Sequence, residues 1–236
     1  MNIELPTGLE HYEFIWDLHE DIHYPNLWLY LTRKQPGTIK PELTPDNKPD
    51  RRNFSWSEFF KNTDHVELEI GSGKGGFMNQ WAKLHPDRSM LGSEWDVRWA
   101  RQAVKKFEAS RHQNLAMLSG DIFYFLQNHV PDNSLDAAHM YFPDPWPKKK
   151  HHKFRLLKEP FLKELRRALK PGSTKFYWAT DHQNYNEEAC ALMESMDFIT
   201  CIQTDAPPTD GIMTGFETKY RQEGRPIYRS VWEFKS

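Results

Sequence analysis

From Trp56 onward, short apolar runs alternate with stretches in which apolar residues recur every three or four positions. Residues 66–70 read as a strand, followed by a glycine turn and a helix with Phe77, Met78, Trp81 and Leu84 on one face. A short strand at 90–93 precedes a helix in which Val97, Ala100, Val104 and Phe107 keep helical spacing. Residues 115–118 and 135–142 read as buried strands, separated by a helix starting near Asp121. Residues 154–169 are amphipathic, with Pro160 at a helix start or kink and Pro171-Gly172 as the stop. A strand at 174–179, a helix through Ala189, Leu192 and Met196, and strands at 198–203 and 227–234 complete the pattern.

This alternation predicts an α/β fold: a mostly parallel sheet with helices on both faces and ligands at the carboxyl ends of the strands. The first 53 residues differ. Phe14, Ile15, Leu18 and Ile22 outline one face of a short helix ending before Pro25, and residues 33–52, punctuated by Pro36, Pro41, Pro45 and Pro49, read as an extended, mobile arm. The expected division is an N-terminal arm, 1–53, and one α/β domain, 54–236.

Composition narrows the classes. A chain of 236 residues supports one larger-than-average α/β domain. It contains no apolar run near the ~18 to 20 residues a membrane span requires, and its first residues lack a secretory signal, so the cytoplasm is the expected location. Cys190 and Cys201 lack metal-ligand spacing and read as reduced thiols. Nothing in the sequence requires a protein partner. With a net charge of −2, any nucleic-acid binding must come from a local patch. One exists at residues 148–155, although such a run by itself is equally well a solvated helix start.

Chemistry concentrates after the predicted strands. In Glu69-Ile70-Gly71-Ser72-Gly73-Lys74-Gly75-Gly76, glycine permits positive φ and close approach of a ligand to the backbone. Gly71, Gly73 and Gly76 satisfy a dinucleotide fingerprint, whereas Glu69 with Gly71, Gly73 and Gly75 matches the E-x-G-x-G-x-G of methyltransferases. Glu94, ending the second strand, suits ribose hydroxyls in either cofactor. Asp121 follows the third strand, where it can accept from the adenine amine, and Glu69 can face a cation. These carboxylates favour the sulfonium of S-adenosylmethionine over the pyrophosphate of NAD.

The fourth strand runs into Phe142-Pro143-Asp144-Pro145-Trp146-Pro147, where two prolines hold a carboxylate and an indole at the sheet edge. Trp146 can stack an unpaired base, and the adjacent cations can hold its phosphates. Here the chain resembles the bacterial tRNA (guanine-N7-)-methyltransferases. Their string is close to F-P-D-P-W-x-K-x-R-H-x-K-R-R, and the likeness continues in Thr180-Asp181 with Tyr185 beyond, and in Thr214-Gly215-Phe216-Glu217. It spans residues 54–235, with two departures: Lys150 and Phe154 each stand where the family carries arginine.

The resemblance implies a Rossmann-like class I methyltransferase with a seven-stranded, mostly parallel sheet ending in an antiparallel hairpin. It also implies transfer of a methyl group from S-adenosylmethionine, leaving S-adenosylhomocysteine, to guanosine 46 in the tRNA variable loop. It assigns Glu69, Gly71, Gly73, Gly75, Glu94, Asp121 and Asp144 to the cofactor, with Asp144 also catalytic. It assigns Lys148, Asp181, Thr214 and Glu217 to the substrate, and Lys150, His151, Lys153 and Arg155 to an RNA-facing segment.

Rival readings are a methyltransferase of exocyclic amines, whose D-P-P-Y/W loop is loosely similar, and an RNA-binding protein with a relic cofactor pocket. His19-Glu20-Asp21-Ile22-His23 matches the zinc-protease pattern H-E-x-x-H, but Pro25 stops any helix there, so no metal is expected. Trp28, Trp56, Trp95 and Trp99 read as packing residues.

Overall fold

The computed structural model describes residues 54–172 and 174–235, together with the backbone of two strands at 17–20 and 27–31. The strands are β1 (Asp17–Glu20), β2 (Leu27–Leu31), β3 (Val66–Ile70), β4 (Ser89–Glu94), β5 (Leu115–Gly120), β6 (Ala137–Tyr141), β7 (Thr174–Thr180), β8 (Ile199–Thr204) and β9 (Tyr228–Phe234). The helices are α1 (Gly76–Leu84), α2 (Val97–Ala109), α3 (Ile122–Asn128), α4 (Glu159–Ala168), α5 (Gln183–Glu194) and α6 (Gly215–Gln222).

All nine strands form one sheet in the order β1-β2-β5-β4-β3-β6-β7-β9-β8. β2 through β7 run parallel, while β9 is antiparallel to both β7 and β8. The seven strands from β3 onward make the expected Rossmann-like methyltransferase sheet with its C-terminal antiparallel strands. The order reverses between β3 and β6, which opens a crevice at their carboxyl ends.

Side chains alternate across the sheet. Val66, Leu68 and Ile70 belong to the core beneath α3, α4 and α5, which also holds Phe125, Phe161, Leu165, Trp178 and Tyr185. The other face is closed by α1 and α2 through Phe77, Trp81, Ala103, Val104 and Phe107. Glu67 points to this second face, where its carboxylate accepts from His139 Nε2 at 2.7 Å and from His65 Nε2 at 2.7 Å. Burial would raise its pKa, but the two histidines outweigh that and lower it to about 2.

Several sequence expectations need correction. Leu18 lies in a strand paired antiparallel with β2, not in a helix; Phe14, Ile15 and Ile22 lie outside the described residues. β2 in turn covers the edge of β5, whose backbone groups would otherwise be unpaired. His19 and Glu20 therefore sit on a strand, unlike the helical H-E-x-x-H arrangement. Of the two places expected for Pro160, the helix start is the one observed: α4 begins at Glu159, because the Pro160 ring would clash with the carbonyl four residues earlier if the helix continued backward. Residues 149–154 form a 3-10 turn instead. Met196 falls just beyond α5, and Leu135 makes only an isolated bridge to Leu169 ahead of β6. Trp56 is buried as expected, whereas Trp95 (64 % exposed) and Trp99 (39 %) are not, and Lys74 Nζ sits 4.2 Å from the centroid of the Trp99 ring.

Gly75 caps α1 in the left-handed region at φ 63°, and a Cβ there would lie 2.7 Å from the Phe107 ring and 2.8 Å from Ala103. Both neighbours are buried between α1 and α2. Gly75→Ala is therefore expected to lower stability by about 1–3 kcal/mol, seen as a lower urea midpoint with unchanged slope. An unchanged midpoint would show that the α1–α2 contact yields freely.

Candidate active site

The crevice has three walls. The first is the turn between β3 and α1, where Gly71 and Gly73 have φ of 75° and 53° and open space in the direction of a Cβ. The amides of Gly71 and Ser72 both donate to Ser93 O at 2.9 Å, which ties the turn to the end of β4. The Gly73 amide donates to Glu94 Oε2 at 2.9 Å, and the Asp96 amide to Oε1 at 2.9 Å. Gly75 belongs to the same turn, but its missing Cβ serves helix packing.

Glu69, on β3 just before this turn, is 4 % exposed, and its Oε2 has no hydrogen-bond partner. Burial pushes its pKa up to about 8, with a hydrogen bond from Ser72 opposing the shift and the charge of Glu94 adding to it. Burial also raises Glu94, against hydrogen bonds from the Asp96 and Gly73 amides. A buried carboxylate with an orphan oxygen is costly until a donor or cation reaches it. Asp121, at the end of β5, caps α3 by accepting from the Phe123 amide at 3.0 Å.

The second wall is the loop after β6. Phe142 and Trp146 both adopt left-handed backbone, with φ of 52° and 45°. Asp144, between them, is exposed at the rim. Arg155, expected to face RNA, instead turns inward and is 4 % exposed. Its Nε donates to Pro145 O at 2.8 Å, Nη2 donates to Asn184 Oδ1 at 3.1 Å, and Nη1 pairs with Glu188. The guanidinium also lies 4.5 Å from the centroid of the Tyr185 ring. The loop is thus fastened to α5 one residue beyond Asp144. Lys148, Lys150 and Lys153 point outward, and His151 is half-buried.

The third wall is α6, which the hydrophobic pattern did not reveal. Its signal was Thr214-x-x-Glu217, the capping-box spacing. Thr214 Oγ1 accepts from the Glu217 amide at 3.0 Å, but the reciprocal arm is missing because the Glu217 carboxylate turns to arginines. It is fully buried, accepts from Arg221 Nη2 at 2.8 Å and pairs with Arg229. Burial would raise its pKa, yet these hydrogen bonds hold it below the usual carboxylate range. α6 sets Tyr220 against Phe142, with ring centroids 5.6 Å apart. Asp181, after β7, accepts from Arg225 Nη1 at 3.0 Å. Burial raises the pKa of Tyr220, and the negative charge of Asp181 adds to the shift. Arg225, Arg229 and Tyr220 carried no sequence signal of their own.

A separate cleft of about 720 Å³ opens at the opposite edge of the sheet, lined by Arg166, Arg167, Lys170, Asp197 and Phe198 among others. Arg167 pairs there with Asp132 and Glu164, and Lys170 with Asp136. Its acids are paired with Arg167 and Lys170 or lie apart from the glycine turn, and Glu69, Glu94 and Asp144 all lie in the crevice.

The family model described as "Putative methyltransferase" matches residues 63–230. A tRNA (guanine-N(7)-)-methyltransferase of Vibrio cholerae is 31 % identical over 208 residues, covering 87 % of this chain and 86 % of the relative. The chain belongs to the tRNA (guanine-N(7)-)-methyltransferase family. A member from Nitrosococcus oceani is 34 % identical over 168 residues, 71 % of this chain and 69 % of the relative. A solved SAM-dependent methyltransferase from Aquifex aeolicus superposes with a TM-score of 0.51 at 16 % identity, covering 75 % of this chain and 86 % of that one, which bears on the fold alone. No helix among the described residues is long and apolar enough to cross a membrane.

Membership implies S-adenosylmethionine as the methyl donor, and the residues lining the crevice fit it: an orphan carboxylate oxygen for a cation, two open glycines and the Glu94 carboxylate. Two outcomes follow. Because folded Glu69 titrates near 8 rather than 4.5, the cofactor-free native state holds a proton that the unfolded chain has released. Stability should therefore fall as pH rises from about 4.5 to about 8 and then level off, and Glu69→Gln should remove that part of the slope. Equal pH slopes for the two proteins would contradict the assignment. If Arg155 fastens the loop, Arg155→Ala should lower kcat about 10- to 100-fold while KM for RNA stays within about twofold. A raised KM with a reduced salt dependence would mean that Arg155 holds phosphate instead.

Proposed function

We propose that this family member transfers a methyl group from S-adenosylmethionine to N7 of a guanosine in tRNA, at position 46 of the variable loop, in the cytoplasm where tRNA is found. The observation that carries this reading is the orphan oxygen of Glu69 on one wall of the crevice with the exposed Asp144 carboxylate at the rim of another. When bound, S-adenosylmethionine supplies an electrophilic methyl carbon on a sulfonium.

Guanine N7 is an unprotonated lone pair, so no side chain has to remove a proton before it attacks. The chain's work is alignment and charge stabilisation. Glu69, Gly71, Gly73, Glu94 and Asp121 hold the cofactor. Asp144 stabilises the positive charge that the purine acquires, and Asp144 and Asp181 accept from guanine N1–H and N2–H, a donor pair adenine lacks. Lys148 meets the phosphate of the target nucleotide, with Lys150, His151 and Lys153 beside it. Thr214 and Glu217 contribute by seating α6, since the Glu217 carboxylate is occupied by Arg221 and Arg229.

The test is labelled S-adenosylmethionine with unmodified tRNA, followed by mapping of the methylated base. The expected product is N7-methylguanosine at position 46, with Asp144→Ala slowing turnover by about 10²–10³-fold. An N-methylated exocyclic amine as product, or an Asp144→Ala protein with full turnover, would reject the reading.

A further inference from the structure

Resting on that functional reading, we propose that Trp146, His151 and Phe154 form a stacking platform that grips an unpaired base of the RNA next to the target guanosine.

The three rings form one cluster. The centroids of Trp146 and Phe154 lie 5.2 Å apart, those of Trp146 and His151 6.0 Å, and those of His151 and Phe154 5.9 Å. The 3-10 turn over Lys149–Phe154 brings the last two rings back to the loop, closed by the His151 amide donating to Lys148 O at 2.7 Å. Trp146 is held in left-handed backbone beside the Pro145 carbonyl that Arg155 grips, so the platform shares its anchor with Asp144.

Despite these contacts Phe154 is 54 % exposed. A phenylalanine whose task was packing would bury more of its ring, and a half-exposed ring among lysines is an open π-face. Lys153 Nζ lies 5.2 Å from its centroid, and Lys148, Lys149 and Lys150 are exposed around it. The acid contacts of the segment are made by His152 and Arg155, both to Glu188, which leaves the lysines turned to solvent. Aromatic faces ringed by lysine fit a single-stranded nucleic acid, whose bases stack while its phosphates meet the cations. Phe154 stands where the family's string carries arginine, so the position offers a ring instead of a cation and leaves phosphate contact to the neighbouring lysines.

Dissociation constants for unmodified tRNA, measured between 50 and 200 mM salt in the presence of S-adenosylhomocysteine, test this on the full chain. Phe154→Ala should weaken binding about tenfold or more without changing the salt slope, and Phe154→Tyr should stay within about twofold of wild type. Phe154→Arg should steepen the slope by about one counterion. The platform is overturned if Phe154→Ala binds as wild type does, or if its loss comes with a shallower salt slope. Methyl transfer by the wild type together with unaltered Phe154→Ala binding sinks the platform alone. Binding that depends on Phe154 without any methyl transfer sinks the functional reading alone.

Discussion

The backbone ladder between β3 and β6 sets where everything at the catalytic edge sits. Its register places Glu69 opposite His139 and Ile70 opposite Met140, so the two strands end within one residue of each other. From this pair the chain winds outward in opposite directions, to β4 and β5 on one side and to β7 on the other. The glycine turn after β3 and the Asp144 loop after β6 therefore leave side by side and diverge. No other neighbouring pair in the parallel part of the sheet has this property. A slip of one residue would turn Glu69 to the opposite face, into the core beneath α3 and α5.

Two carboxylates on β3 show how the same strand serves both structure and chemistry. Glu67 and Glu69 are two residues apart, point to the same face and are equally buried. Glu67 meets two histidines, which bring it down to about 2, and His139 is itself stacked on Tyr177 with centroids 4.7 Å apart. Glu69 has an oxygen with no partner and is pushed up to about 8. Burial is common to both, so the difference is hydrogen bonding. The satisfied group ties β3 to β6, and the unsatisfied one keeps an oxygen without a partner. The same division recurs at the rim, where Arg155 and Glu217 are consumed by internal partners while Asp144 and the lysines stay exposed.

Much of the fold was legible because periodicity reports burial on both faces of a parallel sheet, and seven strands with five helices follow from it. The first two strands were not, since Leu18 and its neighbours fit a helical stripe as well as a strand, and pairing with β2, itself seated on the edge of β5, decided between them. α6 escaped because its buried anchor is a glutamate, which a hydrophobic pattern cannot register; only the Thr214-to-Glu217 spacing hinted at it. The placement of the glycines and of Glu94 and Asp121 at strand ends was readable, because the periodicity marks the strands they follow. Arg155 was misread because a cation inside a basic run looks solvated whether it points out to phosphate or in to a carbonyl. The sequence also does not show that the missing side chain of Gly75 makes room for Phe107, a packing demand separate from any cofactor contact of its backbone. Direction and partnership are tertiary facts, and a sequence states neither.

In the proposed function, cofactor and RNA meet in the crevice between the β3 turn and the β6 loop. Amide hydrogen exchange, followed as S-adenosylhomocysteine and then tRNA are added, tests it most directly. The cofactor product should protect residues 71–75 and 94–96, and tRNA should add protection at 144–154. Protection centred instead on residues 166–170, at the cleft on the opposite edge of the sheet, would contradict it.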